Sequence, residues 1–448
     1  MFNRIIIKEL ENWAFRKNRK PLILRGARQV GKTTLIKQFS EQFDEFIYLN
    51  LETEEDKNLF NKPNNVKKII EAVFYIKNKK FIKNSKTLIF IDEIQESPRA
   101  MEMLRYFYEE IPELFVIAAG SLLESVFNFK INYPVGRVEY LVLRPVSFTE
   151  FLGAMNEHTA LEQLEKIPLE NFAYNKIMKL FHTYTLIGGM PEIVKYYSEN
   201  KELTGLKYIY ESLITSYLND VEKYAKNSTR AAILRHVVKS CFSEAGRRIK
   251  FQGFGNSNYK SREIGEALKT LEKTLLINLI YPVTSQTLPL IPNKKKSPRL
   301  QILDTGLLNY FVGIQHDIIQ SEDLNSIYKG TMIEHLTGQE LLSSQYNALS
   351  SLHFWVREKN TSSAEIDFLY QYHNKLIPVE VKSGKTGTLK SLHLFMDTVP
   401  HNIAIRLYSG DFNISEAETQ SGKKFKLINL PYFLTSQIEN YIRLSENE

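Results

Sequence analysis

The sequence predicts an α/β protein. Its N-terminal part reads as a P-loop NTPase with a doubly wound parallel sheet. A helical lid, a winged-helix middle domain and a separate C-terminal α/β domain follow. Three observations predict this. Four apolar runs, Pro21–Arg25, Phe46–Leu49, Leu88–Ile91 and Phe115–Ala119, are continuous rather than alternating. Such runs suit parallel strands buried on both faces. A phosphate-loop pattern stands between the first run and a helical stretch. From Pro145 the texture turns helical, and strand signals return only later.

The expected domains are 1–150 for the nucleotide-binding core, 151–225 for the lid, 226–318 for the winged helix and 319–448 for the last unit. In the lid, 147–152, 160–180 and 206–218 read as helices, and Leu206, Ile209, Leu213 and Tyr217 share one stripe. In the middle domain, Ser261 is a candidate N-cap and Ile264, Leu268, Leu271 and Leu275 recur at helical spacing. A strand over 277–281 leads into the basic loop Lys294-Lys295-Lys296-Ser297-Pro298-Arg299. Helices followed by a hairpin with a basic tip give the winged-helix expectation. The last unit opens with a helix around 333–342. Strands over 354–357, 366–370, 377–381 and 403–408 follow.

A chain of 448 residues has room for about three domains at roughly 150 residues each. Hydrophobic residues make up 43%, enough for a core in each. The net charge of +7 fits a protein that meets phosphates, and equally a solvated basic surface. The single cysteine, Cys241, excludes an intrachain disulfide and a Cys-based zinc site. The longest apolar stretch, Leu114–Leu123, is far short of the ~18 residues of a membrane span. Ile5-Ile6-Ile7 is too short for a signal sequence. The expectation is a cytoplasmic protein with no membrane partner.

Gly26-Ala27-Arg28-Gln29-Val30-Gly31-Lys32-Thr33 matches G-x-x-x-x-G-K-[ST] at every defined position. Glycines let the loop wrap so that backbone N–H groups point at phosphate oxygens, and the following helix adds its positive end. Lys32 supplies a charge for the β- and γ-phosphates. Thr33 suits Mg²⁺, and Thr34 joins the expected nucleotide contacts. Asp92 ends the run Leu88–Ile91, where ligands bind in such sheets, and is the second expected Mg²⁺ residue. Glu93 is the expected base that polarises the attacking water. Ser121, after the fourth run, reads as a γ-phosphate sensor or as a turn. Arg137, in Pro134-Val135-Gly136-Arg137, reads as an arginine finger presented to a neighbouring copy, which implies a homo-oligomer. The ligands expected here are ATP and Mg²⁺.

A second constellation lies near the C-terminus. Asp367, Glu380 and Lys382 form D-x(12)-E-x-K across two strand candidates. Residues i and i+2 of a strand share a face, so Glu380 and Lys382 project together. Two carboxylates and a backbone carbonyl make an oxygen site for Mg²⁺, with Lys382 to orient water or stabilise charge. Glu334 on the preceding helix is a further acidic member. These are parts for metal-assisted phosphodiester hydrolysis, and equally a solvated strand face.

The chain resembles prokaryotic AAA-like P-loop ATPases that carry a C-terminal restriction-endonuclease-like domain. The resemblance rests on Gly26–Thr33, Ile91-Asp92-Glu93, Ala119-Gly120-Ser121, Pro134–Arg137, Leu143–Phe148, Gly188-Gly189-Met190-Pro191, Asp304-Thr305-Gly306-Leu307 and the Asp367/Glu380/Lys382 set. It implies a C-terminal fold like that of PD-(D/E)-x-K nucleases. Asp367 and Glu380 become metal ligands, Lys382 the catalytic lysine and Glu334 the helix acid. The Pro of that motif is Ile366 here. Two functions follow as expectations: an ATPase coupled to a nuclease acting on DNA, or an ATP-dependent switch that grips DNA or a protein partner without cutting. A nucleic-acid motor ranks behind both, for want of an aromatic and basic pore loop. Basic clusters at Lys67-Lys68, Lys77–Lys86 and Arg247-Arg248-Ile249-Lys250 fit DNA contact or a solvated face.

Overall fold

The structure, a computed structural model, describes residues 2–61, 65–80, 82, 85–120, 134–223, 225, 227–315, 331–357, 364–382, 384 and 388–447. The N-terminal unit comprises α1 (Ile7–Phe15), β1 (Leu22–Arg25), α2 (Lys32–Phe39), β2 (Glu45–Asn50), α3 (Glu54–Asn61), α4 (Val66–Ile76), β3 (Thr87–Asp92), α5 (Pro98–Glu110), β4 (Phe115–Gly120) and β5 (Glu139–Val142). The strands form one parallel sheet in the order β2-β3-β4-β1-β5. All six residues of β3 are buried, as its unbroken apolar run requires. β4 lies between β1 and β3, so the phosphate loop and Asp92 leave the same sheet edge two strands apart.

The lid comprises α6 (Phe148–Ala154), α7 (His158–Glu165), α8 (Tyr174–Ile187), α9 (Pro191–Asn200) and α10 (Leu206–Glu222). The helix expected over 160–180 is two helices. Pro168 has no N–H to donate and pushes Ile167 out of the helical region, so α7 stops before it. A capping box at Ser147 and Glu150 starts α6.

The middle unit comprises α11 (Ser228–Glu244), α12 (Ser261–Lys273), β6 (Ile277–Ile280), β7 (Pro282–Val283), β8 (Arg299–Ile302) and α13 (Thr305–Val312). β6 and β8 pair antiparallel, and Arg248 bridges to Arg299 on the other side of β8. The connection between β6 and β8 is not a free basic tip throughout. Its β7 pairs in parallel with β9 (Phe354–Val356) of the C-terminal unit, and Trp355 Nε1 donates to Thr284 O at 3.2 Å. The expected boundary near residue 318 is therefore bridged by a shared sheet, β10-β9-β7.

The C-terminal unit adds α14 (Thr331–Ser343), β10 (Glu365–Ile366), β11 (Phe368–Tyr372), β12 (Lys375–Val381), α15 (Lys390–Met396), β13 (Ile403–Tyr408), β14 (Asn413–Glu418), β15 (Lys424–Pro431) and α16 (Ile438–Asn447). Its main sheet runs β11-β12-β13-β15-β14, with antiparallel pairs at both edges and parallel pairs inside. The strand expected over 366–370 is interrupted at Asp367, which passes the chain from one sheet to the other.

A buried polar chain runs through the contact between lid, middle and C-terminal units. Asp304, fully buried, accepts from Gly189 N (2.6 Å) and Leu307 N (3.0 Å). Gly188 sits at φ +75°, and a Cβ there would lie 2.3 Å from the Asp304 carboxylate. A Cβ on Gly306 would lie 2.0 Å from Ile187 O. These two close approaches explain both glycine motifs. On α14, His335 Nε2 accepts from Ile302 N (2.9 Å), so the imidazole is neutral with its proton on Nδ1, facing Thr305 Oγ1 at 3.3 Å. Thr305 Oγ1 donates to Gln339 Oε1 (2.8 Å), Gln339 Nε2 to Tyr184 OH (3.0 Å), and Tyr184 OH to Glu340 Oε1 (2.6 Å). Glu340 also accepts from Phe148 N at the start of α6.

Burial pushes His335 down to about 3. The unfolded chain takes up this proton below about pH 6.5, while the folded chain resists it until about pH 3. Stability from this group is thus present above pH 6.5 and is lost as pH falls. Replacing His335→Gln removes that loss: the wild type should lose about 1.4 kcal/mol per pH unit relative to the variant between pH 6 and 4. Parallel denaturant titrations at several pH values check the difference in slope.

Candidate functional site

The loop after β1 carries the phosphate-binding pattern. Gln29 (φ +64°) and Gly31 (φ +93°) turn the backbone through the left-handed region. Gly26 has no room for a side chain, because a Cβ would lie 2.7 Å from Leu143 O. Lys32 is buried, and its Nζ donates to Gly26 O and Ala27 O, both at 3.0 Å. The lysine is thus held inside the loop it serves. Burial lowers its pKa, opposed by Glu93 and Asp92. Thr33 Oγ1 donates to Asp92 Oδ2 at 2.6 Å, and Tyr48 OH reaches the same oxygen at 3.3 Å. Burial and Asp92 push the Tyr48 hydroxyl up to about 12, so it remains a donor. Thr33 and Asp92 are adjacent hard oxygen donors, which fits Mg²⁺.

Glu93 follows at φ +51°, an uncommon conformation for a residue with a side chain. Gln95 Nε2 donates to its Oε2 at 2.5 Å. Burial raises the Glu93 pKa; the Gln95 hydrogen bond and Lys32 oppose this. A carboxylate so placed faces the cavity and can accept a hydrogen bond from a water there.

A cavity of about 740 Å³ joins these groups to the lid. Arg28, Gln29, Gly31, Lys32, Thr33, Thr34 and Glu93 line one side; Pro191, Glu192, Lys195 and Glu199 line the other. A Cβ on Gly31 would lie 3.6 Å from the Pro191 ring, so α9 begins directly on the phosphate loop. Arg28 pairs with the buried Asp220 of α10 at 2.8 Å, and Tyr217 OH donates to Arg28 O at 2.8 Å. The sequence reading missed the lid wall. Its signal was available: Glu192, Lys195 and Glu199 share one helical face just after the Gly-Gly-Met-Pro motif. A larger cleft of about 1090 Å³ between α1, α6 and the segment around Tyr346 holds neither the phosphate-loop lysine nor the Asp92–Glu93 pair. The chemistry therefore favours the smaller cavity.

Arg137 is 43% exposed at its side chain and pairs with Glu109 of the same chain at 2.9 Å. Ser121 lies outside the described residues.

The second constellation comes together where β11 begins and β12 ends. Asp367 Oδ2 accepts from Val381 N at 2.8 Å. Lys382 Nζ donates to Glu380 Oε1 at 2.6 Å. Glu380 is buried, and its Oε2 has no hydrogen-bond partner. Burial, and then neighbouring carboxylates, push both Glu334 and Glu380 upward. An unforeseen residue stands among them: Arg299, buried at the start of β8. It pairs with Glu334 (3.3 Å), Glu365 (2.5 Å) and Asp367 (3.5 Å). Among the described residues no three His, Cys, Asp or Glu side chains are grouped to hold a metal ion. In this arrangement Glu334 and Asp367 do not fit Mg²⁺, because a guanidinium already takes their charge. No helix among the described residues is long and apolar enough to cross a membrane.

Residues 18–152 match the family model described as AAA domain. Residues 178–317 and 329–433 match two further models, each described as a domain of unknown function (DUF8612 and DUF4143). No curated protein matches the sequence. Among solved structures, the fold is similar to that of the Walker-type ATPase PABY2304 of Pyrococcus abyssi, at 15% identity and a TM-score of 0.44, over 70% of this chain and 96% of that one. With the intact phosphate loop and the Asp92–Glu93 pair, the AAA-domain match makes the N-terminal unit a P-loop ATPase domain.

Proposed function

We propose that this chain hydrolyses ATP in the cavity between phosphate loop and lid, and that nucleotide state is passed through the lid to the middle and C-terminal units. The observation that carries this reading is α9. Its first residue, Pro191, rests on Gly31, and two residues earlier Gly189 is bonded to Asp304 of the middle unit.

In the reaction, Lys32 gives up the Gly26 and Ala27 carbonyls for phosphate oxygens. Glu93 leaves Gln95 to accept a hydrogen bond from the attacking water and orient it in line. Thr33 and Asp92 would hold the Mg²⁺ that accompanies ATP, which would neutralise phosphate charge. Lys195 lines the cavity from the lid, so closure of α9 would bring its ammonium toward the phosphates. Arg137 is the group a neighbouring copy's nucleotide would meet.

The order α11, a short turn at 254–256, α12 and the β6–β8 pair supports the winged-helix reading. Arg262, Lys269 and Lys273 on α12, with Lys294 and Lys295, are exposed cations suited to a phosphate backbone. DNA is accordingly the partner proposed, gripped rather than cut while the carboxylates hold Arg299. One observation favours nuclease chemistry as the second reading: the unpartnered Glu380 Oε2 beside Lys382.

Lys32→Ala should abolish measurable ATP binding. Glu93→Gln should bind ATP near normally and turn over about 10²-fold more slowly or worse. Because burial raises Glu93, the acid limb of the wild-type rate profile should lie above the ordinary 4.5. Steady-state turnover from pH 4.5 to 8, with nucleotide binding by fluorescence, checks all three. Asp304→Asn should still bind ATP, but ATP should no longer slow amide exchange in α13, as it should in the wild type. Unchanged exchange in wild-type α13 would sink the coupling. For the second reading, supercoiled plasmid with ATP and Mg²⁺ or Mn²⁺ should be nicked by the wild type and left intact by Lys382→Ala. Nicking that survives in that variant would remove Lys382 from the chemistry.

A further inference from the structure

The acidic cluster of the C-terminal unit already contains a cation, and that cation belongs to the middle unit. Arg299 is 5% exposed. Its Nη2 donates to Glu365 Oε1 at 2.5 Å and lies 3.5 Å from Asp367 Oδ1. Its Nη1 lies 3.3 Å from Glu334 Oε2 and donates to Asp367 O at 3.2 Å. The rings of Phe354 and Phe368 stand 4.9 and 5.8 Å from the guanidinium carbon. A planar guanidinium with fixed donors suits such a set better than an ammonium would. Arg248, which bridges to Arg299 in the strand ladder, approaches Glu365 Oε2 at 3.4 Å. Both oxygens of Glu365 are therefore held by arginines of the middle unit.

Two carboxylates expected to serve a metal, Glu334 and Asp367, are turned to Arg299. A third, Glu380, keeps one buried oxygen without a partner. A divalent ion shared by Asp367 and Glu380 would sit within a few ångströms of a buried like charge, which opposes its entry. We infer that Arg299 fills, as a built-in cation, the place a divalent metal takes in a hydrolytic carboxylate site, and that the site is closed to metal while β8 is docked. The device lies at a joint between units. Arg299 starts β8, β8 leads within two residues to Asp304, and Asp304 is bonded to the loop ahead of α9. The inference rests on the second reading above, in which Asp367 and Glu380 are an oxygen donor pair.

The test is Mn²⁺ binding by the full chain without nucleotide, followed by calorimetry and by the shift in melting temperature. Wild type should show no binding that depends on Glu380. Arg299→Gln should gain one Mn²⁺ per chain, bound at least about tenfold more tightly than by wild type. The gain should vanish in Arg299→Gln with Glu380→Gln, and Arg299→Lys, which keeps the charge but not the fork of donors, should lie nearer wild type than Arg299→Gln does. Glu365→Gln, which loosens the guanidinium without removing it, should fall between. It keeps the test open if Arg299→Gln does not fold. Wild-type binding that is lost in Glu380→Gln would overturn the inference and leave the donor pair standing. No Mn²⁺ binding by folded Arg299→Gln or by Glu365→Gln would overturn both.

Discussion

The arrangement of the four units depends on one buried carboxylate. Asp304 has no access to solvent, and burial pushes it up to about 6 while backbone N–H groups of Gly189, Leu307 and Gly306 pull it back. A charge in such a place persists only if its donors are supplied. They come from two units at once, so lid and middle unit cannot part without stranding it. Gly188 and Gly306 are glycines because the two backbones must approach that closely. From Asp304 the polar chain continues through Gln339 and Tyr184 to Glu340, which brings α14 of the C-terminal unit onto the same point. Nonpolar packing alone tolerates sliding. A chain of directional bonds, each partner buried, fixes one register.

That constraint gives the nucleotide site its second wall. The phosphate loop is local: a strand, two left-handed residues and a helix N-terminus build it from eight consecutive positions. The lid wall is tertiary. α9 reaches the loop because Gly189 is anchored behind it, and α10 reaches it through Asp220 and Tyr217. A phosphate entering the loop competes for Lys32 and lies in the field of Arg28. Both are now committed, one to loop carbonyls and the other to α10. In the reaction proposed above, binding would loosen the Arg28–Asp220 pair that holds α10, which is how an anion a few ångströms across would act on helices.

What was legible in the sequence follows from the range of the interactions. Parallel strands announce themselves because both faces are buried and no polar residue can intervene. The phosphate loop announces itself because its chemistry is contiguous. Asp220 was not legible, because it meets Arg28 only across 192 residues of chain; the helical face of Lys195 was legible, but not its place against the loop. The helix expected over 160–180 failed at Pro168, a local signal that apolar spacing overrode. The basic loop divides for a tertiary reason, with Lys294 and Lys295 exposed and Arg299 buried. Arg299 was read with the lysines before it as part of the basic loop, but strand pairing with β6 turns it inward, and three carboxylates hold it there.

The second constellation shows why an alternating acidic pattern does not determine its own counter-ion. Asp367, just before β11, does come beside Glu380 on β12 and Lys382 just after it. Carboxylates at that density need positive charge whatever the function, since each raises the cost of ionising the next. A metal supplies it reversibly, from solvent. An arginine from another unit supplies it only in the docked state and withdraws it when the units move. The same four acids can thus be a hydrolytic site or a clasp, and the sequence of β11 and β12 is equally consistent with both. The choice is made sixty-odd residues away, at the first residue of β8, by whether the joint organised around Asp304 keeps Arg299 in place.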